Sequence, residues 1–260
     1  MQVIYEDNHI IIVNKQSGEI VQGDKTGDRP LSDMIKDYLK EKYHKPGAVF
    51  LGVVHRLDRP VSGVVVFAKT SKALTRLNKM FAEGEVHKTY WAISPLLPSP
   101  HRGGTPSASR TEDRRDARTT TDRSACRLLP EGRKNGQWQT LEHWLVRNEK
   151  QNKSYAYDHE VPKAKKAMLR YRMLTQGDHY ALLEVQLMTG RHHQIRCQLA
   201  AIGCPIKGDL KYGARRSNPD GSISLLARRV EFVHPVSKEP ICIEAPVPDD
   251  ALWQSLAKNV

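Results

Sequence analysis

The chain has 260 residues, which is enough for a full hydrophobic core in one large domain or two small ones. Its formal net charge of +12 suggests a polyanionic partner, with nucleic acid as the first candidate and a membrane surface as the second. A membrane role is disfavoured, because no apolar run approaches the roughly 20 residues that span a bilayer and no basic amphipathic helix stands out.

The amino-terminal stretch and the cysteines both favour a cytoplasmic protein. Residues 1–10 lack the cationic and apolar regions of a signal peptide. The cysteines are scattered without C-x2-C spacing, so we expect reduced thiols rather than zinc ligands or disulfides. They are Cys126, Cys197, Cys204 and Cys242.

The opening of the chain predicts a hairpin followed by a helix. Residues 2–5 and 10–14 have the composition of short strands and flank a polar turn. From residue 31 the apolar positions follow helical spacing, which predicts an amphipathic helix packed on the core. These positions are Leu31, Met34, Ile35, Tyr38 and Leu39.

The stretch 55–63, HRLDRPVSG, concentrates charge next to an apolar run. Arg56 and Arg59 flank Asp58, and nearby cations favour an ionised carboxylate that can act as a nucleophile or an electrostatic partner. Residues 64–67, VVVF, predict a buried strand. A loop aspartate in a surface ion pair is the competing interpretation, but the position just before a core strand favours a functional carboxylate.

A second helix and a further strand follow this block. We predict a helix with Ser71 as its amino-terminal cap and Gly84 at its end. Residues 87–93 alternate polar and apolar side chains as a strand does, and they include Tyr90. The pattern alone favours an ordinary half-buried tyrosine at this position.

The segment 94–136 differs from the rest of the chain in composition. It is rich in proline, serine, threonine, glycine and arginine and has no apolar periodicity. We therefore expect a flexible insertion within a single domain that covers residues 1–260. Its arginines suit loose phosphate contacts, but a solvated linker is the preferred interpretation.

Strands dominate the next part of the chain. Residues 137–147, 167–175 and 179–188 are predicted strands, and a tight turn joins the last two. Residues 148–166 are polar and basic, and we expect them to form an exposed loop.

The block 189–196, TGRHHQIR, is the second concentration of polar groups. The spacing of the apolar residues around and after it predicts a helix, with His192 and Arg196 one turn apart. Vicinal histidines suggest a metal site at first sight. No carboxylate or cysteine stands at ligand spacing on that helix, so no metal is predicted.

The 55–63 block closely resembles the H-R-L-D-R-x-[TV]-S-G signature of the RluA-type pseudouridine synthases. Further blocks are similar to motifs of that family and stand in the family's order. They are IIIVNKQSG at 10–18, HKTYWA at 87–92, LEVQLMTGRHHQIR at 183–196 and GCPIKGDLKYG at 203–213. Together the blocks span most of the chain, which makes the resemblance specific.

The resemblance implies an enzyme that converts uridine to pseudouridine in structured rRNA or tRNA without a cofactor. It implies that Asp58 is the catalytic residue and that Tyr90 stacks on the target base and is placed for proton transfer. It also implies that Arg196 holds Asp58 in place. A guanidinium suits this role because it can donate two parallel hydrogen bonds to a carboxylate. Arg56 is expected to fill the gap left by the flipped base, and Arg191 to position backbone phosphates.

The same resemblance implies an α+β fold, in which a curved, mostly antiparallel mixed sheet of two similar halves has helices on its flanks. The many short strands without regular βαβ alternation agree with this class. We expect a monomer. The chain departs from the family at Gln16, where proline is usual, and at Leu226, where many relatives have histidine.

Two other functions stay open on the sequence alone. A non-catalytic RNA-binding protein on the same scaffold agrees with the basic charge but not with the intact Asp58, Tyr90 and Arg196. A nucleosidase-type hydrolase would require a second carboxylate near Asp58 and would not require so basic a surface.

Overall fold

The computed structural model describes residues 1–24, 26–96, 136–258 and 260. This part of the chain forms one mixed sheet of 11 strands with four α-helices. The strands are β1 Gln2–Glu6, β2 Ile10–Lys15, β3 Gly52–Val53, β4 Ser62–Ala68, β5 His87–Pro95, β6 Gln139–Asn148, β7 Lys153–Tyr157, β8 Lys165–Gln176, β9 Tyr180–Leu187, β10 Leu225–Val233 and β11 Pro240–Glu244. The helices are α1 Leu31–Lys42, α2 Ser71–Glu83, α3 Gln194–Ala201 and α4 Ala251–Ala257, and Leu210–Tyr212 form a 3₁₀ turn.

The strands follow the order β1-β2-β4-β10-β5-β9-β8-β6-β7, with β3 paired to β4 and β11 paired to β10. Of the strand pairs in the described ranges, only β4 and β10 run parallel. The predicted α+β class with a mostly antiparallel mixed sheet is therefore confirmed.

Alternate side chains of the sheet enter two apolar layers, one on each face. On one face α1 and α3 pack against the sheet, and this layer includes Leu57 and Tyr90. On the other face α2 and α4 pack against the sheet through residues such as Leu77 and Trp253. The face covered by α1 and α3 is the one on which the polar blocks of the sequence meet.

The parallel contact between β4 and β10 requires glycine at position 63. Gly63 has a φ of +118°, and a Cβ there would lie 2.3 Å from the carbonyl oxygen of Ala227. Only glycine accepts both the conformation and the approach. Because Ala227 also pairs with Tyr90 on β5, this contact brings the loop before β4 close to Tyr90.

Most predicted elements are confirmed, with differences at several boundaries. The cap of α2 is Thr70 rather than Ser71, since the Thr70 side chain accepts a hydrogen bond from the backbone N–H of Ala73. Residues 148–166 are not a loop throughout, because they contain β7, which pairs with β6. The helix after residue 189 begins only at Gln194, so the prediction that His192 and Arg196 share one helical face is wrong.

The predicted insertion 94–136 lies mostly outside the described residues. Ser94 and Pro95 belong to β5, and the buried Ser94 hydroxyl donates a hydrogen bond to the carbonyl of Pro205, so the predicted boundary at 94 is too early. Cys197 and Cys242 are free thiols, as expected, whereas Cys204 is disulfide-bonded, which corrects the prediction for that residue.

Both departures from the family pattern are accommodated locally. The backbone N–H of Gln16, which a proline would lack, donates to the carboxylate of Glu19 at 2.8 Å. Leu226 is buried in the layer beneath α2 and α4, on the face opposite Tyr90. The leucine therefore fills core volume.

Candidate active site

Asp58 lies in the loop between β3 and β4, with 30% of its side chain exposed. Its Oδ2 accepts a hydrogen bond from Nη1 of Arg196 at 2.9 Å and lies 3.4 Å from Nε2 of His193. The structure thus brings together Asp58 and Arg196, as the resemblance implied.

The arginines next to Asp58 in sequence are not its partners. Arg59 pairs with Asp28 at 2.7 Å, and Arg56 is exposed. In the described part of the chain no ion pair joins either arginine to Asp58. The sequence pattern placed these two cations next to Asp58, whereas the direct hydrogen-bond donor to its carboxylate is Arg196.

The two parallel hydrogen bonds of Arg196 go to Asp209 rather than to Asp58. Nε donates to Oδ2 of Asp209 at 2.7 Å and Nη2 donates to Oδ1 at 2.9 Å. Both side chains are buried, at 7% and 1% exposure. The fork of the guanidinium is therefore fixed from behind by Asp209, and Nη1 is presented to Asp58.

The charge of Arg196 is secure in this environment. Burial opposes the charged form, but the hydrogen bonds and negative charge of Asp209, with a further contribution from Asp58, raise the pKa of Arg196 above its ordinary value. The Arg196 guanidinium also lies 5.2 Å from the ring centroid of Tyr212. Asp58 consequently faces a cation that does not titrate and cannot rotate away.

His193 makes a second contact to Asp58 through a network of hydrogen bonds. The backbone N–H of Ser154 donates to Oη of Tyr212 at 2.8 Å, and Oη lies 3.0 Å from Nδ1 of His193. Burial, followed by the charge of Arg196, lowers the pKa of His193 to about 2, so the imidazole is neutral. Nε2 of His193 also lies 3.2 Å from Nη1 of Arg196, a group that can only donate, so the ring proton is assigned to Nδ1, which donates to Oη of Tyr212.

The backbone of His193 is in the left-handed region, with a φ of 52°. This conformation is costly for a histidine and concentrates at functional sites. The preceding turn is organised by Gln194, whose Oε1 accepts from the hydroxyl of Thr189 and the backbone N–H of Arg191, both at 2.9 Å. The strained turn thus aims the imidazole at the carboxylate.

Tyr90 lies on β5 with only 8% of its surface exposed. Burial, followed by the negative charge of Asp58, raises its pKa, so the hydroxyl keeps its proton at neutral pH. Within the described ranges, no hydrogen bond of the Tyr90 hydroxyl is found. A protonated hydroxyl without a fixed partner therefore lies within the electrostatic reach of Asp58.

A buried lysine fixes the loop that presents Asp58. The ammonium of Lys15, at the end of β2, donates to the carbonyls of Gln16, Arg59 and Val61 at 3.0, 3.1 and 2.6 Å. Burial lowers its pKa to about 8. Two of the three acceptors follow Asp58 within three residues, so Lys15 joins the Asp58 loop to the sheet.

The vicinal histidines contact each other and neighbouring polar groups of the protein. Their rings stack with centroids 3.8 Å apart, and Nδ1 of His192 lies 2.9 Å from Oγ of Ser154. Across the ranges that the structure describes, no three histidine, cysteine, aspartate or glutamate side chains converge in a way that could hold a metal ion.

Comparison with known proteins decides the family. Residues 9–201 match the family model described as RNA pseudouridylate synthase. The chain belongs to this family. It is an RNA pseudouridine synthase of the RluA type, an isomerase that acts on RNA, and the alternatives of a non-catalytic RNA-binding protein and a nucleosidase are set aside.

Several relatives of this synthase match nearly its whole length. The ribosomal large subunit pseudouridine synthase D of Xanthomonas campestris pv. campestris is 30% identical over 96% of this chain and 67% of that protein. The uncharacterized RNA pseudouridine synthase YlyB of Bacillus subtilis is 28% identical over 100% of this chain and 74% of that protein. The solved structure of human RNA Pseudouridylate Synthase Domain Containing 4 shares the fold, with a TM-score of 0.68 and 20% identity over 98% of this chain and 92% of that one.

Three residues of the synthase's candidate site received no role from the sequence. His193 and Asp209 contact Asp58 and Arg196, and Tyr212 contacts His193. All three lie in the blocks that resemble the family, and the loop with Asp209 and Tyr212 was expected near the cleft. Their polar side chains within these blocks could have marked them as candidate site residues. Their hydrogen-bond partners could not be predicted, because those contacts form only in the folded protein.

Proposed function

We propose that Asp58 is the catalytic carboxylate of this synthase. The observation that supports it is the bond from Nη1 of Arg196 to a carboxylate that stays partly exposed while its arginine is buried and fixed by Asp209. A group that must touch a substrate has to be accessible, and a group that must act with fixed geometry has to be held from behind. Asp58 satisfies both conditions.

The reaction exchanges one bond of the nucleotide for another. The bond between N1 of uracil and C1′ of ribose breaks, the base turns, and a bond between C5 and C1′ forms while the C5 proton leaves and N1 gains a proton. Asp58 either attacks C1′ or stabilises and deprotonates the sugar. We propose that the target nucleotide is flipped into the cleft and that its uracil stacks on Tyr90, whose protonated hydroxyl is placed for proton transfer.

The exposed arginines of the two polar blocks are proposed to bind the RNA around the target. Arg56 is exposed two residues before Asp58, which suits a side chain that fills the space vacated by the flipped base. Arg191 is exposed beside His192, which suits contact with backbone phosphates.

We propose ribosomal RNA as the substrate, because several relatives of high similarity are named as ribosomal large subunit pseudouridine synthases. Transfer RNA is the second candidate. No helix among the described residues is long and apolar enough to cross a membrane. We further propose a cytoplasmic monomer in which residues 1–260 form one catalytic domain. The single sheet that the described strands share supports one domain.

The substrate and reaction are tested together. Purified protein incubated with RNA labelled with tritium at C5 of uridine is expected to release tritium without free uracil. Pseudouridines are then mapped in total RNA from cells with and without the gene. Loss of a modification in large-subunit rRNA supports the assignment, whereas loss confined to transfer RNA would overturn it.

A further inference from the structure

A cleft of about 250 Å³ lies beside the active site. Its walls come from β6, β7, the start of β8 and the turn before α3. The residues that line it include Arg147, Lys163, Lys165, Arg191 and His192. The charge on this wall has one sign, because four of these five side chains are cationic.

Strand register builds the floor of this cleft. Leu145 and Arg147 lie two residues apart on β6 and share a face, and they pair across the sheet with Lys165 on β8 and Ser154 on β7. Lys163 precedes β8 with a φ of 65°, a conformation that lysine adopts rarely. The cations are therefore placed by the sheet and by one strained turn.

Neighbouring carboxylates do not neutralise these cations. Glu142 pairs with Lys166 at 2.7 Å, and Asp158 lies 3.6 Å from His143. In the part of the chain that the structure describes, no ion pair involves any of the four cationic side chains of the cleft. Four like charges around one small volume repel one another, and an anion in that volume relieves the repulsion.

The cleft and the catalytic carboxylate are separated by two stacked rings. His192 lines the cleft, its ring stacks on that of His193, and Nε2 of His193 lies 3.4 Å from Oδ2 of Asp58. After burial, the charge of Arg147 contributes most to lowering the pKa of His192, so the field of the cleft reaches this pair of rings.

We propose that this cleft binds a backbone phosphate next to the target nucleotide, with Arg147, Lys163 and Lys165 acting together with Arg191. The inference rests on the proposed role of Asp58, since it takes the position of the target from that residue. Its ligand chemistry is a phosphate, which an RNA strand or free inorganic phosphate could supply. The proposal commits to the RNA strand, because the cleft opens next to the site where RNA must bind.

The test measures RNA binding as a function of salt in an Asp58→Asn background, where the RNA is not converted. The probe is an unmodified transcript of large-subunit rRNA, titrated between about 50 and 200 mM KCl. The cleft variant combines Arg147→Gln, Lys163→Gln and Lys165→Gln. The control variant combines Lys40→Gln, Lys72→Gln and Lys258→Gln, which removes the same charge from exposed positions on three helices or their ends.

The cleft variant is expected to weaken binding and to reduce the slope of log affinity against log salt by about 2, since each phosphate contact contributes about 0.7 to 0.9. The control variant is expected to leave the slope nearly unchanged. Equal slopes for the two variants would overturn the proposal. Calorimetric titration with inorganic phosphate distinguishes free phosphate from an RNA strand as the ligand of the cleft. If only the cleft variant loses phosphate binding while its RNA salt slope equals that of the control variant, the proposed RNA contact is overturned.

The phosphate site and the catalytic role of Asp58 are refuted by different measurements. Activity of the Asp58→Asn protein would refute the catalytic assignment without changing the slopes. Unchanged slopes would refute the phosphate site while Asp58→Asn stays inactive. Lys163→Glu alone provides a second variant at an exposed position, and it is expected to weaken RNA binding more than Lys72→Glu does.

Discussion

Arg196 donates two parallel hydrogen bonds to Asp209 and a single one to Asp58. The first carboxylate is buried and the second is partly exposed. One guanidinium thus connects a structural carboxylate to the one that we propose to be catalytic. The position of Asp58 depends on a residue of the loop 203–213 that it does not contact directly.

Arg196→Lys is expected to reduce the single-turnover rate by about a hundredfold. An ammonium cannot bind Asp209 and orient Asp58 at the same time, and a small misplacement of a catalytic group has an effect of this size. It should also lower the free energy of unfolding by about 1 to 3 kcal/mol, since buried acceptors of Asp209 lose donors. Arg172→Lys, in the ion pair with Glu184, is the control. A wild-type rate in Arg196→Lys would show that the guanidinium geometry is not required.

Tyr90→Phe separates stacking from proton transfer. Phenylalanine keeps the ring, so RNA affinity should be retained while the rate falls if the hydroxyl moves a proton. Tyr90→Ala should lose both the rate and about 1 to 3 kcal/mol of binding, the contribution of one base stacked on an aromatic ring. Single-turnover assays and filter binding give the two quantities, with Tyr38→Phe on α1 as the control. Full activity of Tyr90→Phe would leave stacking as the role of this residue.

Lys15→Met tests how the Asp58 loop is held. The substitution removes a donor from three carbonyls, two of them in that loop, and each buried acceptor without a partner costs about 1 to 3 kcal/mol. We expect the free energy of unfolding in urea to fall by about 3 kcal/mol or more, together with the turnover rate. Lys36→Met, at a surface pair on α1, should change neither. Stability equal to that of the wild type would mean that the loop is held by other contacts.

Two histidines with lowered pKa values should make stability depend on pH. Burial lowers the pKa of His193 to about 2 and that of His55 to about 3. Below the unfolded value of about 6.5 the unfolded chain takes up protons that the folded protein does not, so stability falls as the pH falls, by up to about 1.4 kcal/mol per pH unit for each group. His193→Gln and His55→Gln should each reduce this slope between about pH 6.5 and 5.

The control for these histidines is His87→Gln, at an exposed position on β5. Urea unfolding at several pH values gives the slopes. An unchanged slope in His193→Gln would contradict a neutral imidazole beside Asp58.

Local patterns predicted the elements whose side chains alternate or repeat clearly. The run at 64–67 became β4, and the apolar spacing from Leu31 became α1. Strand β7 was missed because it lies at the edge of the sheet, where polar side chains such as those of KSYAY face solvent on one side. Polarity therefore obscured a strand that only its pairing with β6 identifies.

The site was predictable in its residues but not in its connections. Asp58, Tyr90 and Arg196 are named by motifs, yet Asp58 and Arg196 stand 138 positions apart and Arg196 and Asp209 stand 13 apart. No periodicity reports such contacts, because they form only when α3 and the 203–213 loop pack on the sheet. For the same reason the sequence assigned the paired hydrogen bonds of Arg196 to the wrong carboxylate.

Catalysis by Asp58 is tested most directly by the single-turnover release of tritium from C5-labelled RNA by Asp58→Asn at saturating enzyme, with RNA binding measured in parallel. The substitution keeps the shape of the side chain and removes its charge, and Asp28→Asn, which alters the partner of Arg59, is the control. If Asp58 is the catalytic carboxylate, the variant shows no release above background and retains RNA binding, and Asp28→Asn releases tritium at the wild-type rate. Release by Asp58→Asn at the wild-type rate would contradict this role.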